Sequence, residues 1–419
     1  MKTLIGHSSA AQSRDDSGVA VARRRESSRP VAQTRVAMLT NEIPPYRVQA
    51  FEELCATPTW DFKVFTCIDR EVGRLWNVQQ DFSFPTRRSF SLSYIRRIRH
   101  AGPENFEDIR QIHWPLGLIW DLWRFRPNVI ISAELGARTL IAALYAFLRN
   151  RRLIVWFEGT PHTERDLTRS QRWLRRLLHR TPHAYIVNGT QGRAYLEGLG
   201  VAPAIIFEVG QAIDTEPFLE RQSTEQRQAV RSSFGLHGHC YLCCGALSAR
   251  KGCEQLLDAW ELFSRQMPVD ATLAILGDGP DRANLERRVA QAGLTNVRFL
   301  GHLQRDQLPA IYQAADVLVL PTLEDCWPLV VNEAMASGLP VISSKFTGSV
   351  DVIVEGKTGW IVDPFDPGDV AHKLELAWAA RDRRSAMGEA ARQGVAPMSI
   401  AAVTERVRQI VARLQSKTH

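Results

Sequence analysis

The sequence predicts an α/β protein made of two Rossmann-like domains that face each other across a cleft. Three observations support this prediction. The chain has 419 residues, which is more than one hydrophobic core usually organises. Short apolar runs alternate with amphipathic helical stretches, a pattern typical of parallel sheets with helices on both faces. The alternation stops at a polar segment, residues 214–231, and then begins again.

The first series of elements predicts an N-terminal Rossmann-like domain at residues 35–213. We predict strands at residues 36–40, 62–67, 128–132, 153–157, 184–187 and 205–209. Helices are predicted between them, at residues 46–55, 116–125, 139–148 and 170–178. Before this domain, residues 1–34 are rich in Ser, Arg, Ala and Gln and lack an apolar core, so we expect a disordered basic tail and not a signal peptide.

The second series predicts a C-terminal Rossmann-like domain at residues 214–385, followed by a helical segment at residues 386–419. Strands are predicted at residues 240–244, 271–276, 297–299, 317–320, 341–343 and 359–362. Helices are predicted at residues 254–266, 281–292 and 308–314, and from about residue 329. Because ligands of open α/β sheets lie at the carboxyl ends of the strands, we expect the site in the cleft.

The formal net charge of +7 predicts an anionic partner. Much of it lies in arginines at residues 23–25, at Arg96, Arg97 and Arg99, and in the run from Arg169 to Arg180. No nucleic-acid-binding signature accompanies these arginines, so we expect no nucleic-acid partner. An anionic membrane surface remains one interpretation of the runs, and an ordinary solvated helix face remains the other.

Four other features are disfavoured: a disulfide framework, a zinc site, a nicotinamide-binding turn and a membrane span. The seven cysteines stand at irregular spacing, which indicates a reducing compartment and no disulfide framework. Cys240, Cys243 and Cys244 resemble half of a zinc site, but no second pair follows at a suitable spacing, and the segment is better interpreted as a buried strand. Gly277-Asp-Gly-Pro lacks the third glycine of a nicotinamide-binding turn. Residues 140–147 are apolar but too few to span a bilayer.

Two segments carry the predicted chemistry. Gly245-Ala-Leu-Ser-Ala-Arg-Lys251-Gly252 joins a strand to a helix, where backbone N–H groups and a lysine suit a phosphate; an incidental turn is the alternative. Farther on, Asp325 precedes a helix and Glu333 lies eight positions later among apolar residues. A carboxylate in such surroundings is costly unless it is paired, and it suits sugar hydroxyls.

These segments resemble the retaining, GT-B-fold glycosyltransferases of family four, the glycosyl transferases group 1. The hallmark of that family is Glu-x7-Glu, matched here by Asp325-x7-Glu333 within Val-Val-Asn-Glu-Ala-Met-Ala-Ser-Gly-Leu-Pro-Val-Ile. Lys251-Gly252, Gly277-Asp-Gly-Pro and Phe299-Leu-Gly301 match in the same order. The resemblance covers nearly the whole chain after the tail and is strongest from residue 245 to residue 363.

The resemblance implies roles for individual residues. Lys251 would hold the donor diphosphate, with amides near Leu329 and Val330; Glu333 would bind the ribose; Asp325 would contact the transferred sugar; and Gly301 would lie beside the base. The complete donor-binding set comprises Gly245, Arg250, Lys251, Gly301, Trp327, Leu329, Val330 and Glu333. The catalytic set comprises His162, Asp325 and Glu333.

The acceptor side is predicted from the N-terminal half. His162, in Trp156-Phe-Glu158-Gly-Thr-Pro-His162, follows a strand and should open into the cleft as a sugar or acceptor contact; a loop histidine without a role is the alternative. Glu158 and Arg47 complete the acceptor-binding set, although an exposed turn arginine is the preferred interpretation of Arg47.

The implied activity is transfer of a sugar from a nucleotide-diphosphate-sugar to a glycan or lipid-linked acceptor with retention of configuration, without a metal or other cofactor. We expect a cytoplasmic enzyme, peripheral at the inner face of the membrane. Two departures from the family keep a catalytically silent scaffold open: Ala246 replaces an expected arginine, and Asp325 replaces a glutamate. A nucleotide-sugar epimerase or hydrolase is the third alternative.

Overall fold

A computed structural model describes residues 33–70, 81–99, 107–267 and 270–416. The predicted tail therefore lies outside the described residues, except for Gln33 and Thr34. Thr34 already belongs to the first strand.

The N-terminal domain is built on a parallel sheet of seven strands. The strands of this half of the chain are β1 (Thr34–Thr40), β2 (Trp60–Thr66), β3 (Thr86–Arg88), β4 (Leu92–Arg99), β5 (Glu107–Trp114), β6 (Val129–Ala133), β7 (Arg152–Phe157), β8 (Ala184–Val187) and β9 (Ile206–Glu208). The sheet has the order β3-β2-β1-β6-β7-β8-β9, while β4 and β5 form a separate antiparallel hairpin. The sequence did not predict this hairpin.

Five helices accompany this sheet: α1 (Pro45–Cys55), α2 (Leu118–Phe125), α3 (Ala137–Arg149), α4 (Arg169–Leu178) and α5 (Thr190–Gly198). Side chains of α2 to α5 pack on one face of the sheet, in two core clusters with alternate residues of β1, β6, β7 and β8. Residues of α1 pack on the opposite face with Val36 and Met38. The two faces therefore have separate hydrophobic cores, as a doubly wound domain requires.

The C-terminal domain repeats this architecture with six parallel strands. The strands are β10 (His239–Cys244), β11 (Ala271–Leu276), β12 (Val297–Gly301), β13 (Val317–Leu320), β14 (Val341–Ser344) and β15 (Gly359–Val362), in the order β12-β11-β10-β13-β14-β15. The helices are α6 (Glu216–Leu219), α7 (Thr224–Ser233), α8 (Cys253–Gln266), α9 (Arg282–Gln291), α10 (Leu308–Ala314), α11 (Leu329–Ala336), α12 (Pro367–Ala379) and α13 (Arg384–Val395). Every residue of β10 is buried, as the sequence predicts for this cysteine-rich segment.

The last helix, α14 (Ile400–Ser416), returns to the N-terminal domain. Its side chains Val403, Val407, Ile410 and Val411 join the core on the α1 side of the first sheet. The chain therefore crosses between the domains twice, and the two crossings touch: the Ile213 amide donates to the Met398 carbonyl at 3.0 Å. The predicted segment 386–419 consequently divides, because most of α13 packs in the C-terminal domain and α14 packs in the N-terminal domain.

Candidate active site

Glycines shape the carboxyl edge of the second sheet, where the site was predicted. Gly245, Gly277 and Gly301 lie at the ends of the adjacent strands β10, β11 and β12, and all three have positive φ. A Cβ on Gly277 would lie 1.9 Å from the carbonyl oxygen of Gly245. The loop after β11 therefore approaches the loop after β10 only because position 277 lacks a side chain.

The predicted phosphate loop ends in a tight turn that orients Lys251. Ala249–Lys251 form one 3₁₀ turn, and Gly252 has φ +71° immediately before α8. A Cβ on Gly252 would lie 2.1 Å from the Pro321 carbonyl oxygen, so the backbone here needs glycine. The turn places the side chain of Lys251 beside the segment that precedes α11.

Two cations converge on the carboxylate of Asp325. Lys251 Nζ lies 2.6 Å from Asp325 Oδ2, and Arg250 Nη1 lies 3.6 Å from the same oxygen. The Trp327 amide donates to Asp325 Oδ1 at 3.2 Å. Burial raises the pKa of Asp325, but Lys251, Arg250 and these hydrogen bonds outweigh burial and lower it overall. Asp325 is therefore an anion at neutral pH, held by both cations of the loop.

The neighbouring acid, Glu324, faces the other way. Its Oε2 accepts from Arg165 Nη1 of the N-terminal domain at 2.9 Å, and only 5% of its side chain is exposed. Since Glu324 is committed to contact between the domains, Asp325 is the acid that meets the phosphate loop. The sequence analysis chose Asp325 from its spacing to Glu333, and the structure shows that the side chain of Asp325, not that of Glu324, contacts the phosphate loop.

Glu333 lies in the second turn of α11 and has a buried phenol as its partner. Tyr312 Oη donates to Glu333 Oε2 at 2.9 Å, and Tyr312 has no exposed surface. Burial raises the pKa of Glu333, because the hydrogen bond from Tyr312 and the charge of Arg305 offset it only in part. The sequence analysis missed Tyr312, since one tyrosine inside a short helix carries no signal of its own.

The raised pKa of Glu333 predicts that donor binding weakens on mild acidification. A carboxylate accepts stronger hydrogen bonds than a carboxylic acid, so protonation of Glu333 as the pH falls through its raised pKa should loosen the ribose. Asp325, with its lowered pKa, should not titrate in this range. We expect the dissociation constant of a nucleotide-sugar to rise below neutral pH, and to be nearly flat in Glu333→Gln.

This pH dependence is measured by calorimetry with an intact nucleotide-sugar. A nucleoside diphosphate is unsuitable because its terminal phosphate titrates near pH ~6 itself. An equal pH dependence in wild type and Glu333→Gln would assign the titration to another group.

The first turn of α11 offers backbone donors. Pro328 is the N-cap, and Leu329 and Val330 begin the helix, where the amides have no carbonyl one turn earlier. Trp327, in contrast, is buried, and its Nε1 donates to Asn332 Oδ1 at 3.0 Å. The side chain of Trp327 therefore packs under the loop, and only its backbone is placed to meet a donor.

His162 lies in the cleft, between the two domains. Its Nε2 is 2.9 Å from the Leu323 carbonyl oxygen, so that nitrogen carries the proton in this contact. The imidazole also stacks on Phe346, with ring centroids 4.2 Å apart. Both partners belong to the C-terminal domain, so the predicted loop histidine is a contact between the domains in this structure.

Arg47 and Glu158 pair with each other. Arg47 is 7% exposed, forms an ion pair with Glu158, and lies over the ring of Trp156 at 5.1 Å. The preferred interpretation of Arg47 as an exposed turn arginine is wrong, because the first turn of α1 packs the guanidinium onto the end of β7. Burial lowers the pKa of Arg47, but the negative charge of Glu158 and the contact with Tyr46 outweigh burial, and the net pKa is raised. The guanidinium therefore stays charged.

A small cavity between the domains brings the acceptor side to the donor side. Glu158 lines it from the N-terminal domain, together with Asn188 and Gly189. Cys326 and Trp327 line it from the C-terminal domain. About one third of the Glu158 side chain remains exposed, so a carboxylate faces the space next to the Asp325 loop.

Candidate metal ligands are scattered among the described residues. Across residues 33–70, 81–99, 107–267 and 270–416, no three His, Cys, Asp or Glu side chains are grouped as metal ligands. The seven cysteines are free thiols. The same part of the chain contains no helix whose length and apolar character would let it cross a bilayer.

Comparison of the sequence with known proteins shows similarity to glycosyltransferases. Residues 231–394 match the family model "Glycosyl transferases group 1". The chain is 27% identical over 301 residues to the sulfoquinovosyl transferase SQD2 of Arabidopsis thaliana, covering 70% of this chain and 58% of that protein. It is 29% identical over 318 residues to the D-inositol 3-phosphate glycosyltransferase of Corynebacterium aurimucosum, covering 73% and 70%.

Among solved structures, Anabaena Alr3699/HepE in complex with UDP superposes with a TM-score of 0.70 at 15% identity, covering 91% of this chain and 100% of that one. The GT-B fold of two Rossmann-like domains is thus confirmed. The resemblance to the group 1 glycosyltransferases is confirmed as well, and the match to the family model lies in the C-terminal half of the chain. The matches span 58% of the Arabidopsis protein and 34% to 50% of three other curated relatives.

Proposed function

We propose that the protein is a retaining glycosyltransferase that moves a sugar from a nucleotide-diphosphate-sugar to a glycan or lipid-linked acceptor, without a metal. The observation that supports this most is the convergence of Lys251 and Arg250 on Asp325 at a glycine-rich sheet edge. Two cations and the start of α11 form an electropositive corner of the size and chemistry that a diphosphate needs.

Each group then has a role in the reaction. Lys251, Arg250 and the amides of Leu329 and Val330 bind the diphosphate and stabilise its charge as it leaves. Glu333 binds the ribose hydroxyls, and Tyr312 holds its carboxylate in place. Asp325 accepts from a hydroxyl of the transferred sugar, while the backbone at Gly301 lies beside the base.

Arg250 offers a physical answer to the missing family arginine. Ala246 supplies no charge, but the guanidinium of Arg250 already lies 3.6 Å from Asp325 and donates to the Glu324 carbonyl at 2.8 Å. A short rotation about its side-chain bonds would bring it to a bound diphosphate. We therefore propose that Arg250 supplies the second cation.

The acceptor is proposed to bind against the N-terminal domain. Glu158 faces the cavity next to the Asp325 loop, with Arg47 holding its carboxylate in place. His162 is proposed to contact the sugar or the acceptor when the contact with Leu323 opens. The cavity is small in this structure, so acceptor entry requires the two domains to separate.

Thermal unfolding with a panel of UDP, GDP, ADP and their sugar conjugates tests the donor site. A ligand present at about a hundredfold over its dissociation constant should stabilise the protein by roughly 2.7 kcal/mol. We expect one nucleotide to do so, and its identity names the base. The anomeric configuration of the product, followed by NMR, then tests retention.

The alternative is a catalytically silent GT-B protein that acts as a scaffold, and Ala246 is the observation that favours it. Absence of stabilisation by every nucleotide at millimolar concentration would support that alternative. Turnover of a nucleotide-sugar without an acceptor would instead indicate an epimerase or hydrolase.

A further inference from the structure

The exposed hydrophobic side chains of this protein are concentrated on one face. Among the described residues, fourteen of the sixteen exposed large hydrophobic side chains belong to a continuous stretch of the N-terminal domain, and the other two are Leu219 and Val354. The fourteen are Phe90, Leu92, Tyr94, Ile95, Trp114, Leu116, Trp120, Trp123, Leu140, Leu144, Phe147, Leu148, Trp173 and Leu177. An exposed apolar patch of this extent marks an interaction surface.

These side chains are brought together by one layer of the fold. They lie on the hairpin β4–β5, on the short segments that flank it and on helices α2, α3 and α4, which pack on the same side of the first sheet. Helix α3 contacts α2, α4 and β5. We call this layer, made of the hairpin β4–β5 with its flanking segments and helices α2, α3 and α4, the α2–α4 face. The opposite layer, α1 and α14, contributes none of the fourteen.

Helices α2, α3 and α4 of this face carry exposed arginines and no exposed acid. Arg124, Arg149, Arg169, Arg172 and Arg176 are exposed on the three helices. Helices α3 and α4 contain no acidic residue. The one acid of α2, Asp121, is buried and bound to Arg87 and Ser89. Helices that lie in a membrane interface typically combine exposed tryptophan and leucine with arginines that have no neighbouring acid on the helix, and helices α2–α4 share this composition.

We propose that the α2–α4 face docks this protein on an anionic membrane surface, with Trp120, Phe147 and Trp173 entering the headgroup region and the arginines contacting lipid phosphates. Phe147 is 85% exposed and Trp120 is 76% exposed, which costs free energy unless an apolar medium covers them. Anionic lipid supplies both an apolar medium and negative charge.

Two other occupants of this face, a second copy of the chain and a nucleic acid, fit its charges and apolar side chains less well. A second copy of this chain, docked face to face, would bring arginine against arginine without acids to pair them. Nucleic acid would neutralise the arginines but would have no use for exposed Leu144, Phe147 and Leu148. If the proposed function is correct as well, docking favours a lipid-linked acceptor, because enzyme and acceptor would then share the membrane surface.

Flotation of the full chain with vesicles tests the proposal. We expect binding to vesicles rich in anionic lipid, little binding to neutral vesicles, and partial loss of binding at high salt. The triple variant Trp120→Ser, Phe147→Ser and Trp173→Ser should lose at least about tenfold in affinity at every salt concentration. The double variant Arg172→Glu and Arg176→Glu should lose more than about twentyfold, mainly at low salt.

Matched controls lie outside the face. Leu219→Ser removes an exposed leucine, and Arg287→Glu reverses an exposed arginine of α9; both should bind vesicles like wild type. Nucleotide-dependent thermal stabilisation, measured on every variant, reports folding and the donor site independently of lipid. Absence of flotation with anionic vesicles, or equal loss in the controls, would overturn the proposal. Dimers that dissociate in the triple variant would identify a second copy as the occupant.

Discussion

Replacement of Lys251 by alanine is expected to lower the turnover of sugar transfer by about 10²- to 10³-fold, the typical cost of removing one preorganised group that stabilises developing charge. In this variant Arg250 and the backbone amides at the start of α11 would still stabilise the departing diphosphate, so activity should fall but not disappear. Lys251→Arg should recover part of the loss, because it restores the charge with a different geometry. Steady-state kinetics with the donor identified by thermal unfolding measures each effect.

The same variant has a structural effect that must be separated from the chemical one. Loss of Lys251 leaves the partly buried carboxylate of Asp325 with Arg250 as its remaining cation, which should reduce the free energy of unfolding by roughly 1–3 kcal/mol. Adding Asp325→Asn removes that charge and should recover stability but not turnover. Lys345→Ala breaks an exposed lysine–aspartate pair of the same domain and should change neither. Full turnover in Lys251→Ala would contradict the site assignment.

Replacement of Glu333 by alanine is expected to weaken nucleotide binding by about 10- to 150-fold, since a hydrogen bond to a charged group contributes about 1.5–3 kcal/mol. The loss should be equal for a nucleotide and its sugar conjugate, because the ribose is common to both. Calorimetric titration of both ligands measures it. Glu254→Ala, an exposed glutamate on α8, is the matched control.

Tyr312→Phe tests how Glu333 is positioned. The variant keeps the ring and removes only the hydroxyl that donates to Glu333, so the pKa of that carboxyl should rise further. The acid limb of the binding profile should therefore move to higher pH, while affinity well above the pKa should change little. A uniform loss of affinity at every pH would mean that Tyr312 supports only packing.

The sequence predicted most strands of both sheets because these strands are short, apolar and largely buried, whereas the exposed edge strand β3 was not predicted. Its predictions for α8 were equally good, since Leu256, Leu257, Trp260 and Phe263 repeat at helical spacing and all are buried. The hairpin β4–β5 escaped prediction for the opposite physical reason. Its side chains Leu92, Tyr94 and Ile95 are exposed, so no alternation between a core face and a solvent face marks the strands.

The sequence singled out candidate site residues, but it did not predict the partners that these residues have in the structure. The sequence identified Lys251, Asp325 and Glu333 because they stand in an ordered set of motifs. It could not show that Lys251 binds Asp325, or that Arg165 reaches Glu324 from 159 residues away. Such pairs depend on how segments distant in the sequence pack together, and the local periodicity of the sequence does not determine this packing. Arg47 illustrates the limit, since its burial follows from the position of Trp156 on another element.

The return of α14 to the first domain has a consequence for how the protein folds on the ribosome. The N-terminal domain is completed by α14, which is synthesised after the whole C-terminal domain, because Val403, Val407 and Ile410 fill its core. Until α14 is synthesised, the apolar surface formed by Val36, Met38 and Phe51 remains exposed to solvent during synthesis of the C-terminal domain. Since Gln415 Nε2 lies 2.7 Å from Thr34 Oγ1, a circular permutant that places residues 400–416 directly before residue 33 would let each domain fold from contiguous chain.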